Sequence, residues 1–219
     1  MGDYMNNKIW DNIREMEDYF ITYLLYSEGK SVEAISIIRG KSKDKVEREI
    51  IKSKIALSNN SDSIDELVTI ISLPKNERIN YIKNLTNIEK KALEDEIYKR
   101  YIKFKNPEDR MILIWLIGEL KSKKLLPFLK MELNSNNVNY RRLSCSALGK
   151  IKDVNTKEWL EAMISDKNPQ VRQYAIKALS HIGDACTIEK LEYIAITDNK
   201  DYIRRNALES IELIINRIK

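Results

Sequence analysis

The sequence is short of the residues that build crosslinks and reaction centres. Its 219 residues include two cysteines, one histidine, four prolines and six glycines. Cys145 and Cys186 form no C-x-x-C pair and have no histidine nearby, which excludes a disulfide framework and a zinc site. They read as two buried, reduced thiols. So few prolines and glycines argue against a β-rich or disordered chain and leave helix as the default. No apolar run is long enough to span a membrane, and the opening "MGDYMNNKIW" lacks both a signal-peptide pattern and, at Asn6, the hydroxyl residue of a myristoylation motif. A cytoplasmic protein without a membrane partner is expected. The lone His181 has no identifiable orienting group, and no G-x-S-x-G, Walker or H-E-x-x-H pattern occurs, so the usual catalytic constellations are unfilled. The expectation is a non-enzyme with no catalytic residue, cofactor or metal, and no small-molecule substrate is indicated.

What is present is charge and helical periodicity. The chain is 43% hydrophobic and 32% charged with a formal net charge of +5. Lys and Arg balance Asp and Glu, 19 to 18, over residues 1–105 but exceed them, 19 to 15, over residues 106–219. The positive excess therefore sits in the second half, where it favours an anionic partner.

That half is repetitive. Arg110, Arg141, Arg172 and Arg204 recur at spacings of 31, 31 and 32 residues, and each is followed by small or apolar residues three, four, six and seven positions on. This is one face of a helix, repeated. Between these segments, "KKLLPFLKMEL", "TKEWLEAMI" and "TIEKLEYIAI" carry apolar stripes of their own and end in polar turns. Helices should thus alternate in pairs, with Gly118, Ala147, Gly149 and Ala178 letting neighbours approach closely. "DKNPQVRQYAIKAL" and "RRLSCSALGKI" resemble HEAT repeats, in particular the short bacterial version found in phycobilisome-lyase-type repeat proteins. The resemblance covers residues 86–219 as about four repeats, "NIEKKALEDEIYKRYIKF" being the first helix of the first.

The resemblance implies an α-solenoid whose second helices line a concave binding face. One and five positions after each Arg, that face would show Met111, Trp115, Arg142, Ser146, Gln173, Lys177, Arg205 and Glu209, with Lys150 and His181 beyond. Trp115, Arg142, Lys150, Lys177 and Arg205 are the candidate contacts for a protein partner. Against this stands an ordinary solvated face with Trp115 buried against a neighbouring repeat. Asp166 and Asp198 each lie six residues before an Arg, which reads as a structural ladder for Arg172 and Arg204. Arg110 and Arg141 lack that Asp and read as freer to bind.

Upstream, residues 8–26 place Ile9, Ile13, Met16, Tyr19, Phe20, Tyr23 and Leu24 on one helical stripe. A helix over 31–39 follows, capped by Ser31, with Val32, Ile35 and Ile38 pointing one way. Gly40 supplies the turn, and Ser42 caps a third helix carrying Val46, Ile50 and Ile51. This three-helix unit over residues 1–58 is similar to the helix-turn-helix of sigma-factor and response-regulator output domains. Arg39 and Lys41 depart from the apolar residues usual there, which would loosen the turn. The resemblance implies DNA contacts by Ser42, Lys43, Lys45, Arg48 and Lys52. A generic helical hairpin uses the same caps and apolar positions, and Asp44 and Glu47 oppose a polyanion. "SNNSDS" at 58–63 reads as a linker, and "IDELVTII" and "NERINYIKNL" as two helices of a bridge over 59–85. The expected whole is all-α: a helix-turn-helix-like unit, the bridge, and a HEAT-like solenoid. Its expected role is a binding adaptor with DNA as a further partner; the alternative is a DNA-binding protein whose basic solenoid grips the duplex backbone.

Overall fold

A computed structural model describes residues 17–59 and 66–219. Ile9, Ile13 and Met16 of the first stripe, and most of the 58–63 linker, lie outside the described residues. Among those described there is no strand, and the chain is all-α. The helices are α1 (Asp18–Ser27), α2 (Val32–Arg39), α3 (Lys43–Asn59), α4 (Glu66–Ser72), α5 (Lys75–Asn84), α6 (Asn87–Arg100), α7 (Pro107–Leu120), α8 (Leu126–Leu133), α9 (Val138–Ile151), α10 (Lys157–Met163), α11 (Pro169–Leu179), α12 (Ala185–Thr197) and α13 (Asp201–Ile218). Two compact units divide at Arg110 and Met111.

In the first unit, Tyr26, Val32, Ile35, Val46 and Ile50 form a buried cluster where α1, α2 and α3 meet. The local signals behave as their chemistry requires. The Ser31 hydroxyl accepts from the Ala34 N–H at 3.2 Å, and Gly40 adopts φ 59°, a left-handed conformation that costs a residue without Cβ little. Ile38 and Ile51 do not join the cluster, contrary to the sequence expectation. Both are exposed: the buried face of the eight-residue α2 is complete with Val32 and Ile35, and on α3 Ile51 stands one position past Ile50, which already faces the cluster. Arg39 and Lys41 do not loosen the turn either. Both pair with Asp18 of α1, and Lys41 also reaches Glu49 of α3 at 2.8 Å, so two cations tie the turn to its neighbours.

A buried polar knot closes the same unit. Asp109, in the first turn of α7, accepts from Lys54 Nζ of α3 at 2.8 Å and from the Tyr26 hydroxyl of α1 at 3.0 Å. Asn106 donates to the Tyr26 carbonyl at 3.1 Å. Burial first, and the Asp109 and Glu108 carboxylates next, push the Tyr26 phenol far above its ordinary pKa, so it keeps the proton it donates to Asp109.

The second unit is an α-solenoid of stacked helical pairs. In it α8 packs on α9, α10 on α11 and α12 on α13, while α9, α11 and α13 pack on one another in succession. Repeated caps start the second helices. Asn137 accepts from Asn139 N–H and Asn168 from Gln170 N–H, each at 2.9 Å. Glycine permits the close approach between second helices that the sequence calls for. A Cβ added at Gly118 would stand 2.8 Å from the Ala147 Cα, and one at Gly149 would stand 3.1 Å from the Ala178 Cβ.

The arginine column bolts successive repeats together. Arg141 donates from Nε and Nη2 to both carboxylate oxygens of Asp166, at 2.7 and 3.1 Å, and from Nη1 to the Ser135 carbonyl at 2.8 Å. Arg172 repeats this with Asp198, at 2.6 and 2.9 Å, and with the Asp166 carbonyl at 2.9 Å. Each Asp thus serves the arginine of the preceding repeat, and only its carbonyl serves the arginine six residues later. The expectation that Arg141 is free is therefore corrected: it is buried in a bidentate pair. Arg110 is likewise engaged, donating to the Phe104 carbonyl at 3.0 Å and lying over the Tyr101 ring. Cys145 is buried as expected, and burial pushes its thiol pKa far above the ordinary range. Cys186 is exposed, because it sits in the first turn of α12 outside that helix's apolar phase.

Candidate functional site

The residues one, five and nine positions after each repeat arginine form a partly exposed row on the second helices. Met111, Trp115 and Glu119 belong to α7, Arg142, Ser146 and Lys150 to α9, Gln173 and Lys177 to α11, and Arg205 and Glu209 to α13. Side chains of the row link neighbouring helices. Lys150 pairs with Glu119 at 2.5 Å and holds its ammonium 5.9 Å from the Trp115 ring centroid. The Arg142 guanidinium lies 5.4 Å from the centroid of Tyr174 on the next helix, and its Nε is buried with no hydrogen-bond acceptor.

Trp115 is therefore neither sealed in the core nor fully open. Its face meets a cation while part of its surface stays in water, a setting that suits an amphipathic contact. Lys177 and Arg205 are exposed. Their charges remain hydrated and available, whereas the charge of Lys150 is neutralised by Glu119. Local desolvation first, then the charges of Lys152 and Arg217, hold the exposed His181 imidazole below its usual pKa.

The sequence did not single out Tyr174 or Glu119 for this row. Tyr174 stands two positions after its arginine, a phase that holds Ile112 and Leu143 in the preceding helices and so reads as core. A cation one position after the arginine of one repeat, facing an aromatic two positions after the next, is the signal that would have found the pair. On the first-helix side an open groove of about 800 Å³ separates α10 from α12. Ala162, Ile164 and Ile194 supply apolar lining, and Glu158 and Glu189 line it with charge.

In the first unit, α3 presents Lys43, Lys45, Arg48 and Lys52 on exposed surface. Lys43 pairs with Glu33 of α2 at 2.9 Å, and Lys52 lies 4.1 Å above the Tyr19 ring. Ser42 is occupied locally, its hydroxyl facing the Lys45 N–H at 3.4 Å at the start of the helix. Asp44 and Glu47 are exposed on the same helix. Lys45 and Arg48 are exposed cations there whose side chains make neither an ion pair nor a ring contact within the described residues.

Among the described residues no group of three or more His, Cys, Asp or Glu side chains is placed to hold a metal ion. No helix among them is long and apolar enough to cross a membrane. A family model for HEAT repeats matches residues 131–212, which covers α9 to α12 whole and most of α13. No curated protein matches the chain. The repeat match supports a HEAT-repeat architecture for the second unit, an architecture that generally serves as a scaffold for protein interaction.

Proposed function

We propose that this chain is a non-catalytic adaptor that holds a protein partner along the row of Trp115, Arg142, Lys150, Lys177 and Arg205. The observation that carries the reading is that row itself, an aromatic and several cations on successive second helices within a HEAT-type stack. Stacked hairpins bury their apolar stripes against each other and leave one polar strip facing outward, long enough for an extended or helical segment. Trp and Arg are the residue types most enriched among binding hot spots, and a part-buried Trp115 and Arg142 suit that role. The net-positive row favours a partner segment that is acidic and carries an apolar residue for Trp115.

Lys150 is already matched by Glu119, and Arg142 is spread over Tyr174, so few cations on the row remain free to neutralise phosphates. This favours a protein over a duplex on the solenoid, since nucleic-acid affinity grows with the number of phosphates neutralised. A second reading concerns the first unit, whose division at residues 1–58 we retain as a functional one. Its α2–α3 pair, with the left-handed Gly40 turn and Lys45 and Arg48 exposed on α3, has the layout of a DNA-reading hairpin.

Fluorescence anisotropy on the full chain separates these readings. An acidic peptide bearing a central Leu or Trp is expected to bind, and to lose at least about tenfold in affinity on Trp115→Ala or Lys177→Glu. Random duplex DNA is expected to bind weakly, with loss on Lys45→Glu and Arg48→Glu and none on Lys177→Glu. Peptide binding untouched by the row substitutions refutes the adaptor reading. DNA binding that depends on Arg142 and Lys177 replaces it with a solenoid that grips the duplex.

A further inference from the structure

The position four residues after each repeat arginine lies at the seam between successive second helices. Ile114, Cys145 and Ile176 occupy it in α7, α9 and α11, and each is 0% exposed. In α13 the same position is Leu208, 57% exposed. Four residues further on, the close-approach glycines Gly118 and Gly149 are replaced in α13 by the exposed Glu212. At Gly118 even a Cβ would fall 2.8 Å from the Ala147 backbone. A glutamate side chain does not fit such a contact, so the α13 face is not shaped for the close glycine seam made at Gly118 and Gly149; Ser180 holds the same position at the end of α11.

The arginine column agrees. Arg141 and Arg172 reach forward to the next repeat, whereas Arg204 turns back to Asp201 of its own helix. The face of α13 is thus apolar at Leu208 and flanked on one stripe by Arg205 and Glu212. Neither Arg205 nor Glu212 has a side-chain partner within the described residues. Arg205 and Glu212, placed almost evenly about Leu208 and the exposed Glu209, are self-complementary when two such helices run antiparallel.

We propose that this face is covered by a second copy of the chain, α13 packing antiparallel on α13 about a twofold axis near residues 208 and 209. Arg205 of each copy then meets Glu212 of the other, and the two Leu208 side chains meet between these pairs. At 1.5 Å per residue the 18 residues of α13 give a seam of up to about 27 Å. Arg205, at the end of the concave row, borders both surfaces.

Sedimentation equilibrium of the full chain across a concentration series tests this, with circular dichroism to show that each variant keeps its helix content. The wild type is expected to approach a two-copy species. Leu208→Glu, at an exposed position, should remain monomeric throughout. Arg205→Glu and Glu212→Arg should each weaken association by about tenfold or more, and the double substitution should bring it back towards the wild type. A wild type that is monomeric at every concentration overturns the proposal. So does a dimer indifferent to Leu208→Glu, or a double variant no better than either single one.

Discussion

Arg172 and Arg204 occupy the same position in successive repeats but meet different surroundings, so replacing each by Ala isolates what the inter-repeat pair contributes. Arg172→Ala removes two hydrogen bonds to Asp198, at 2.6 and 2.9 Å, and one to the Asp166 carbonyl at 2.9 Å. It leaves the Asp198 side chain, 4% exposed, with the Lys200 N–H as its remaining close donor. Breaking a buried ion pair from one side costs roughly 3–5 kcal/mol, because the surviving charge stays desolvated. Arg172 itself keeps an edge in water, so the expected loss is about 3 kcal/mol, at the low end of that range. Arg204 is 37% exposed, and its ionic partner Asp201 is 80% exposed. Losing that pair, together with the Arg204 bond to the Asp198 carbonyl at 2.7 Å, should cost about 1 kcal/mol. Urea unfolding gives both values by linear extrapolation, and hydrogen exchange across the α11–α13 region reports the same difference locally if the repeats do not unfold together. Adding Asp198→Asn to Arg172→Ala should recover part of the loss by removing the stranded charge. Equal losses for the two arginines, or a larger one for Arg204→Ala, would refute a ladder that works through the next repeat's carboxylate.

The same ladder sets an acid limit. At Asp166 and Asp198 burial pushes the carboxyl up, but the arginine hydrogen bonds outweigh it and hold the pKa below the ordinary range; Asp184 is held down to about 2, first by Lys157. Depressed folded-state values contribute stability that is complete above an unfolded pKa of roughly 4 and is lost as pH falls through the folded values. Urea midpoints should therefore stay level from neutral pH down to about 5 and fall below about 4, and Asp198→Asn should flatten that fall. Gly118→Ala should destabilise by about 1–2 kcal/mol despite the better helix propensity of alanine, because its Cβ has nowhere to go; a gain of stability in urea unfolding would show that the helices can part. Asp109→Ala strands Lys54, whose pair is 7% and 8% exposed, and should cost about 3 kcal/mol or more, whereas Lys54→Met with Asp109→Leu should cost much less; equal costs by urea unfolding would count against a buried charge pair.

Periodicity made the solenoid legible before any coordinates. Close approach needs small residues, and Gly118, Ala147, Gly149 and Ala178 announced it in the sequence. The direction of the ladder was hidden, because a carboxylate six residues before an arginine looks like its partner. Across a turn of that length it is the carbonyl that arrives, and the carboxylate belongs to the arginine 25 or 26 residues earlier. Ile38 and Ile51 misled for a different reason. The eight-residue α2 fills its buried face with Val32 and Ile35, and on α3 Ile51 is turned by about 100° from the buried Ile50, so a further apolar position carries no information about where it points. The expectation for Cys186 followed the general preference of thiols for the core, and the exposed residue breaks it, since its place is set by the first turn of α12. On the second helices the exposure of Lys177 and Arg205 agrees with their phase, but the Arg142–Tyr174 contact joins two phases and needs the stack to be seen.

In the proposed adaptor, stacking in register leaves one row of side chains free for a protein partner. Hydrogen exchange on the full chain with a bound acidic peptide, for the wild type and for Trp115→Ala combined with Lys177→Glu, tests it most directly. Slowed exchange in α7, α9 and α11 is expected on binding, with unchanged exchange in α10 and α12 and no protection at all in the variant. Protection on α10 and α12 around the groove at Ala162, with the variant protected as fully as the wild type, would contradict it.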